Sequence, residues 1–520
     1  MQVNRTYDIA IVGSGFAGSL MAMIARQLGH SVVLLERGKH PRVVIGESST
    51  PLSNLLLDDL AVRYNLPRLK PLAKWGSWQE HYPNTACGLK RGFSFYHHQP
   101  GHPDPLDPER LNQLLVAASP HDRIGDTHWY RADFDELLAR EAQDLGVDYF
   151  DEVMLDGLVE DSNYAMLMAQ KDGRSFTFRA KFIVDATGPR GFLHRTLKLQ
   201  ETALPNFPST QALYSHFSGV GRLDEFPARL NKEMPPYPVD DAAVHHVFDG
   251  GWIWVLRFNN GMTSAGVAVT DEAAVRLQLI DGEGAWKRLL GSIPVLEAQF
   301  ANAKAERPFT FVPRLSFLSS SIYGEKWAML PSAAGFVDPL LSTGFPLTLL
   351  GVARLAENLE RDWGKPRFRS NLKNYATRTK DELLATARLV SALYANMDNF
   401  PIFNALSLLY FAAASFSETA YRLKRPQLAK SFLLHDHATF GETCRKLLDR
   451  AQHLRTEEET SIFIEDVFRA IEPIDVAGLC DRQRRNWYPV NAEDLLNSAA
   501  KVGATRDEIT ALLQSCGFYA

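Results

Sequence analysis

A lysine stands at the centre of TACGLKRGFSF, residues 85–95, a glycine-broken apolar stretch that reads as a strand. A primary amine among apolar residues can carry a reactive group, because desolvation favours its neutral form and lowers its pKa from about 10.4. Strand alternation would put Gly88, Lys90, Gly92 and Ser94 on one face and Leu89, Arg91, Phe93 and Phe95 on the other. Lys90 would then have neighbours with almost no side chain, leaving room for a substrate beside the amine. The plain alternative is a solvent-facing lysine on an edge strand.

A second constellation lies near the N-terminus. YDIAIVGSGFAGSLMAMIARQLGHSVVLLER reads as strand, tight turn, helix and second strand, with Gly13, Gly15 and Gly18 in the G-x-G-x-x-G pattern. The first glycine permits the turn, the second lets backbone approach a pyrophosphate, and the third lets helix and strand pack closely. Phe16 and Ala17 open the helix, whose N-terminal amides would face phosphate. Glu36, at the end of the second strand, is placed to accept hydrogen bonds from a ribose, and Arg37 follows it.

Two later segments, KFIVDATGPRG (181–191) and WAMLPSAAGFVDPLLSTGF (327–345), each read as an apolar strand ending in a small-residue turn. They suit further close approaches of backbone to one extended cofactor, and they resemble the ATG and late motifs of the FAD-dependent monooxygenase superfamily. Asp185 and Asp338 stand in these turns, while Pro331 and Ser332 replace the usual glycine and aspartate of the late motif. No second glycine fingerprint for NAD(P)H follows. Glu47 and Ser48 of GESSTP (46–51), and Arg131 at the start of the amphipathic helix RADFDELLAREAQDLGV, complete the expected cofactor-binding set. Read alone, GESSTP is also an ordinary helix start.

The 520 residues exceed one compact core, and 45% hydrophobic with 22% charged residues is ordinary for a globular protein. The expected fold is α/β: a Rossmann-like cofactor-binding domain over residues 1–204, with 327–355 returning to it, an antiparallel β-sheet substrate domain over 205–326, and a C-terminal helical domain over 356–520. The net charge of -5, without blocks of one sign, gives no reason to expect nucleic acid as a partner. Cys87, Cys444, Cys480 and Cys516 are too scattered for a disulfide framework or a zinc site, so no metal is expected. No signal peptide is legible, and a reducing cytoplasm fits. IFNALSLLYFAAASF (402–416) is shorter than the roughly 20 residues that span a bilayer and reads as a buried helix, without stable membrane insertion.

GESSTP, CGLKRGFSF, GGWIWVLRFNN (250–260) and GFVDPLLSTGF together resemble the flavin-dependent halogenases, more closely the branch acting on phenols and pyrroles than the tryptophan branch. The resemblance spans about residues 5–355. It implies that a separate flavin reductase supplies reduced FAD, that chloride or bromide is oxidised beside the flavin, and that Lys90 receives the oxidised halide and passes it to an aromatic ring. Thr343 and Gly344 match the residues whose amides hold halide, and Gly344 and Phe345 also belong to the flavin side. Trp252 and Trp254 match the W-x-W-x-I-P pair, expected with Leu341 in the substrate pocket. Leu341 occupies the place of the glutamate that tryptophan halogenases carry there, which disfavours indole. A free phenol is the first substrate expected, a carrier-bound pyrrole the second.

Leu256-Arg257 replaces the motif's Ile-Pro. An arginine there restores an N–H and adds a charge, and it favours a competing reading, an FAD monooxygenase acting without halide. His97, His98, His245 and His246 are chemically able general bases, and none of them is assigned that role.

Overall fold

The computed structural model of the chain describes residues 5–103, 107, 109–225 and 233–519. At its centre Thr6–Val12 pairs in parallel with Val32–Leu35 on one side and Arg174–Asp185 on the other. Asp148–Phe150 and Trp327–Met329 extend the parallel region, and Ala165–Lys171 and Met154–Glu160 add an antiparallel edge, making seven strands. Every residue of VVLL at Val32–Leu35 is buried, as a parallel strand covered on both faces requires. The helix Phe16–Gln27 covers one face. Gly13 has φ +99°, and a Cβ on Gly18 would lie 1.9 Å from the Gly13 carbonyl oxygen, so glycine is what allows strand and helix to meet here.

The second sheet differs from the expected one in two ways. It is mixed: Thr210–Ser218, Thr263–Thr270, Gly251–Arg257 and Ala243–Phe248 run antiparallel, but Ala243–Phe248 pairs in parallel with Gly92–His97. It also recruits strands from outside 205–326, since Gly92–His97 leads to Gln113–Ala117 and then to Trp487–Tyr488. The C-terminal boundary shifts too. The helix Gly344–Asp362 runs through residue 356, and the following helices Arg367–Tyr394 and Phe400–Arg422 share one hydrophobic core with the first sheet.

The apolar run 402–416 is the middle of a longer element. Asn399 caps the helix by accepting from the Ile402 amide, and it continues for 23 residues to Arg422. By length and composition it could cross a membrane, yet 83% of its most apolar window is buried inside the protein. The last helix begins with a capping box, Thr505 with Glu508, in the TRDE of the sequence.

The lysine segment is two strands rather than one. Cys87–Lys90 pairs with Asp126–Trp129, while Gly92–His97 belongs to the second sheet. Arg91 makes the break: its N–H donates to Asp241, and its guanidinium donates to Asp122 and to the Ser119 and Pro120 carbonyls. Alternation therefore does not carry across it. Nor do the glycines beside Lys90 leave space for a ligand. A Cβ on Gly88 would sit 1.9 Å from the Arg257 carbonyl oxygen, and one on Gly92 would sit 2.3 Å from that of Val116. Their small size admits neighbouring backbone. Gly88→Ala is accordingly expected to lower stability by about 1–3 kcal/mol, the cost of overpacking, measured by urea unfolding.

Candidate active site

The expected cofactor residues converge on the mouth of the first sheet. A cavity of about 570 Å³ is bordered there by Gly15, Phe16 and Ala17, by Glu47 and Ser48, by Arg131, and by the turn from Asp338 to Phe345. A Cβ on Gly15 would lie 3.4 Å from Arg131 Nη2 and 3.6 Å from Arg42 Nη2. Two guanidiniums thus flank the glycine turn, the charge a pyrophosphate requires, and the donor set fits a dinucleotide. Arg131 is itself fixed, donating 2.8 Å bonds from Nε and Nη2 to the two oxygens of Asp135.

Arg42 was not legible in the sequence. It lies beyond the second strand, lines the cavity and pairs with Glu36 at 3.2 Å, whereas Arg37 is exposed and does not line it. Glu36 accepts from the amide and hydroxyl of Ser14 and from the Gly38 amide. Asp185 also lies behind the cavity wall. Buried, it accepts from the amides of Thr187 and Leu193 and from the Thr187 hydroxyl, so it braces the turn whose Ala186, Thr187 and Gly188 do line the cavity.

On the opposite wall, Leu341 and Ser342 adopt φ of 62° and 56°, a left-handed turn that non-glycine residues rarely take. It sets Thr343 and Gly344 at the start of the helix Gly344–Asp362, facing the cavity. A Cβ on Gly344 would meet no atom within 4 Å, so open space lies against that backbone. Leu341 turns the other way: fully buried, it lines neither this cavity nor the one described below. Phe345 stacks on Trp129 at 4.5 Å and meets Phe16 edge-on at 5.0 Å.

Trp252 and Trp254 face the same cavity from Gly251–Arg257, with ring centroids 5.7 Å apart. Trp252 Nε1 donates to the Tyr394 hydroxyl at 3.2 Å, and that hydroxyl donates to Asp338 Oδ2 at 2.9 Å. Burial pushes the Asp338 carboxyl up to about 7. Tyr394, at the end of a C-terminal helix, carried no sequence signal. Arg257 points away from the cavity: it donates to Asp240, at 3.1 Å, and to the Val220 and Gly221 carbonyls, so it clamps a neighbouring loop where the motif has proline.

Lys90 is fully buried. Its Nζ donates to Ser48 Oγ at 2.8 Å and to the Ser49 carbonyl at 2.5 Å, and lies 3.7 Å from the Phe93 ring centroid. Ser48 borders the large cavity; Phe93 and Thr50 border a second one of about 160 Å³. Pro346 lines the second cavity and its neighbours Phe345 and Leu347 the first. The amine therefore sits in the partition between two cavities. Burial drives its pKa down to about 7, with Asp126, its cross-strand partner, pulling it back up. GESSTP does two jobs here, since Thr50 also caps the helix Pro51–Arg63.

Of the four histidines, only His245 lines the large cavity, and burial followed by the nearby Lys90 drives it down to about 3. His97 stacks on Phe400, while His98 and His246 hydrogen-bond to each other at 2.9 Å.

A sequence profile of the tryptophan halogenase family matches residues 127–400, more than half of the chain, and an FAD-binding domain profile matches residues 8–217. Monodechloroaminopyrrolnitrin halogenase PrnC of Pseudomonas fluorescens is 27% identical over 488 residues, which cover 91% of this chain and 83% of that protein. Tetracycline 7-halogenase of Kitasatospora aureofaciens is 29% identical over 427 residues, covering 79% and 74% respectively. The crystal structure of halogenase PltM has the same fold, with a TM-score of 0.80 at 23% identity over 92% of this chain and 99% of that one. PltM has also been crystallised with phloroglucinol and FAD, a structure that matches with a TM-score of 0.72 at 22% identity over 99% of each chain. With a dinucleotide cradle, a left-handed turn at the opposite wall and a buried lysine between two cavities, the chain belongs to the tryptophan halogenase family and is an FADH2-dependent enzyme that halogenates aromatic substrates.

Proposed function

We propose that the substrate is a free phenolic compound and that Lys90 delivers the halogen to it. The observation that carries this reading is the position of Lys90, which touches the wall of the FAD-sized cavity through Ser48 and the wall of a ring-sized cavity through Phe93. Gly13, Gly15 and Gly18 with Arg42 and Arg131 hold the pyrophosphate of FAD, and Thr343 and Gly344 hold chloride or bromide at the helix start. Bound reduced FAD, delivered by a separate flavin reductase, supplies the oxygen activation that oxidises the halide. The Trp252 and Trp254 rings line the large cavity and limit the space in which substrate could approach the flavin.

With a pKa of about 7, about half of Lys90 is neutral at that pH, whereas an ordinary lysine is almost wholly charged. The neutral amine takes halogen from hypohalous acid, forming the N–halogen bond and releasing water, and then yields that halogen to the ring. A free phenol is favoured over a carrier-bound pyrrole by the size of the second cavity, about 160 Å³, comparable to a cavity of roughly 150 Å³ that accepts benzene. The phloroglucinol bound by PltM is a phenol of that size. Carrier-bound pyrroles are the substrates named for two more distant relatives, which match 70% and 68% of the chain.

Incubating the protein with flavin reductase, NADH, oxygen, chloride or bromide and a panel of phenols should give products heavier by one halogen for each hydrogen replaced. Halogenation confined to a carrier-bound pyrrole would refute the phenol assignment. Lys90→Ala is expected to keep FAD affinity within about twofold and to lose at least about 10²-fold in regioselective product, measured by flavin fluorescence titration and product mass. The lysine also predicts a pH signature. Its folded pKa lies below the unfolded value of about 10.4, so protonated Lys90 weakens the fold, fully below about pH 7 and not at all above the unfolded pKa. Lys90→Met removes that penalty. Its stability relative to the parent should be greatest near pH 6 and fall towards about pH 9 in urea unfolding.

A further inference from the structure

The second cavity contains a carboxylate that no halogenase motif supplies. Glu418, on the helix Phe400–Arg422, is the one charged side chain among the residues lining it. Its Oε1 accepts from Arg422 Nε at 2.8 Å, which fixes the carboxylate and offsets its charge, while Oε2 accepts from no group among the described residues. One helical face brings Tyr410, Phe411, Ala414, Ser415 and Glu418 to this cavity. Tyr410 is 2% exposed and lies between this cavity and another one bordered by Leu409, His435 and Phe440. Opposite stands Phe93, whose ring meets Phe411 edge-on at 5.2 Å and carries Lys90 Nζ on its other contact.

A small space with aromatic walls and one free acceptor calls for a neutral ring that carries a hydroxyl donor. A cation is disfavoured because Arg422 already balances Glu418. A bare hydrocarbon in this space would displace water from Oε2 without replacing its hydrogen bond, a cost that a hydroxyl removes. The geometry points to Glu418 as the residue that accepts the substrate hydroxyl proton and orients the ring towards Lys90, in a cavity built for a single hydroxylated aromatic ring. This inference rests on the phenol reading above.

The step balances as follows. The ring carbon bonds to halogen as the halogen–Nζ bond breaks and its electron pair stays on nitrogen. The hydroxyl proton moves to Glu418 while positive charge builds on the ring, and returns when the ring carbon loses its own proton. That proton balances the pair left on nitrogen and restores the amine. Leu341, buried away from both cavities, cannot take this part, so the acid of the tryptophan branch has its counterpart on a different element.

The test uses the full-length protein and 4-nitrophenol, whose ionisation is read by absorbance without turnover. A carboxylate that accepts the hydroxyl favours neutral phenol over phenolate, so the bound probe should titrate about one pH unit or more higher in the parent than in Glu418→Gln. With reductase, oxygen and halide present, Glu418→Gln should lose about 10²-fold in phenol halogenation, while hypohalite trapped by monochlorodimedone and turnover of the phenol's methyl ether stay unchanged. Glu418→Asp should restore part of the loss. Should Glu418→Gln fail to fold, Ala414→Phe fills the same cavity and should abolish probe binding while sparing hypohalite formation. An identical probe titration in parent and Glu418→Gln, or unaltered probe binding in Ala414→Phe, would overturn the inference. A parent protein that forms no hypohalite would instead count against the halogenase reading, and the probe titration would still decide the part played by Glu418.

Discussion

Everything in this active site depends on keeping one amine out of water. A fully buried ammonium is costly unless it is paired and hydrogen-bonded, and Lys90 has only partial compensation: a serine hydroxyl, a carbonyl, an aromatic face and a carboxylate across the strand pair. That deficit is what brings the amine down to about pH 7. A closer carboxylate would stabilise the charged form and raise the pKa again. Asp126 instead spends one oxygen on Asn54, at 2.8 Å, and Lys74, at 3.3 Å.

The partition around Lys90 is assembled from segments far apart in the chain. Residues 48–50 come from the loop after the second strand, 90–93 from a broken strand, and 345–346 from the helix after the left-handed turn. Ser48 and Phe345 face the large cavity, while Thr50, Phe93 and Pro346 face the small one. The strained Leu341–Ser342 turn belongs to the same design: two non-glycine residues at positive φ persist only where their surroundings over-determine them.

The C-terminal helices are part of the site rather than an appendage. Tyr394 links Asp338 to Trp252, and the helix Phe400–Arg422 forms one side of the ring-sized cavity. Their apolar residues join the core of the first sheet, so the cavity wall is packed against that core. Arg257 departs from the motif without entering the cavity. Its backbone follows the strand while its charge is absorbed by Asp240 and two carbonyls on a neighbouring loop.

The sequence by itself determined what local chemistry dictates. Glycines at 13, 15 and 18 can serve only a tight strand-to-helix turn, Thr505 and Glu508 can cap a helix with no outside help, and the spacing of Trp252 and Trp254 puts both on one strand face. Lys90 stood out because a charge in an apolar stretch needs a reason. Tertiary structure decided the rest. Gly88 and Gly92 proved to admit backbone from distant strands, Asp185 to brace a turn, and Arg42 rather than Arg37 to reach the cavity. Likewise the helix at 402–416 read as core because apolar periodicity looks the same whether a face meets protein or a ligand. Only packing distinguishes these cases, because the partner that fills or leaves the space beside a residue lies tens or hundreds of positions away in the chain.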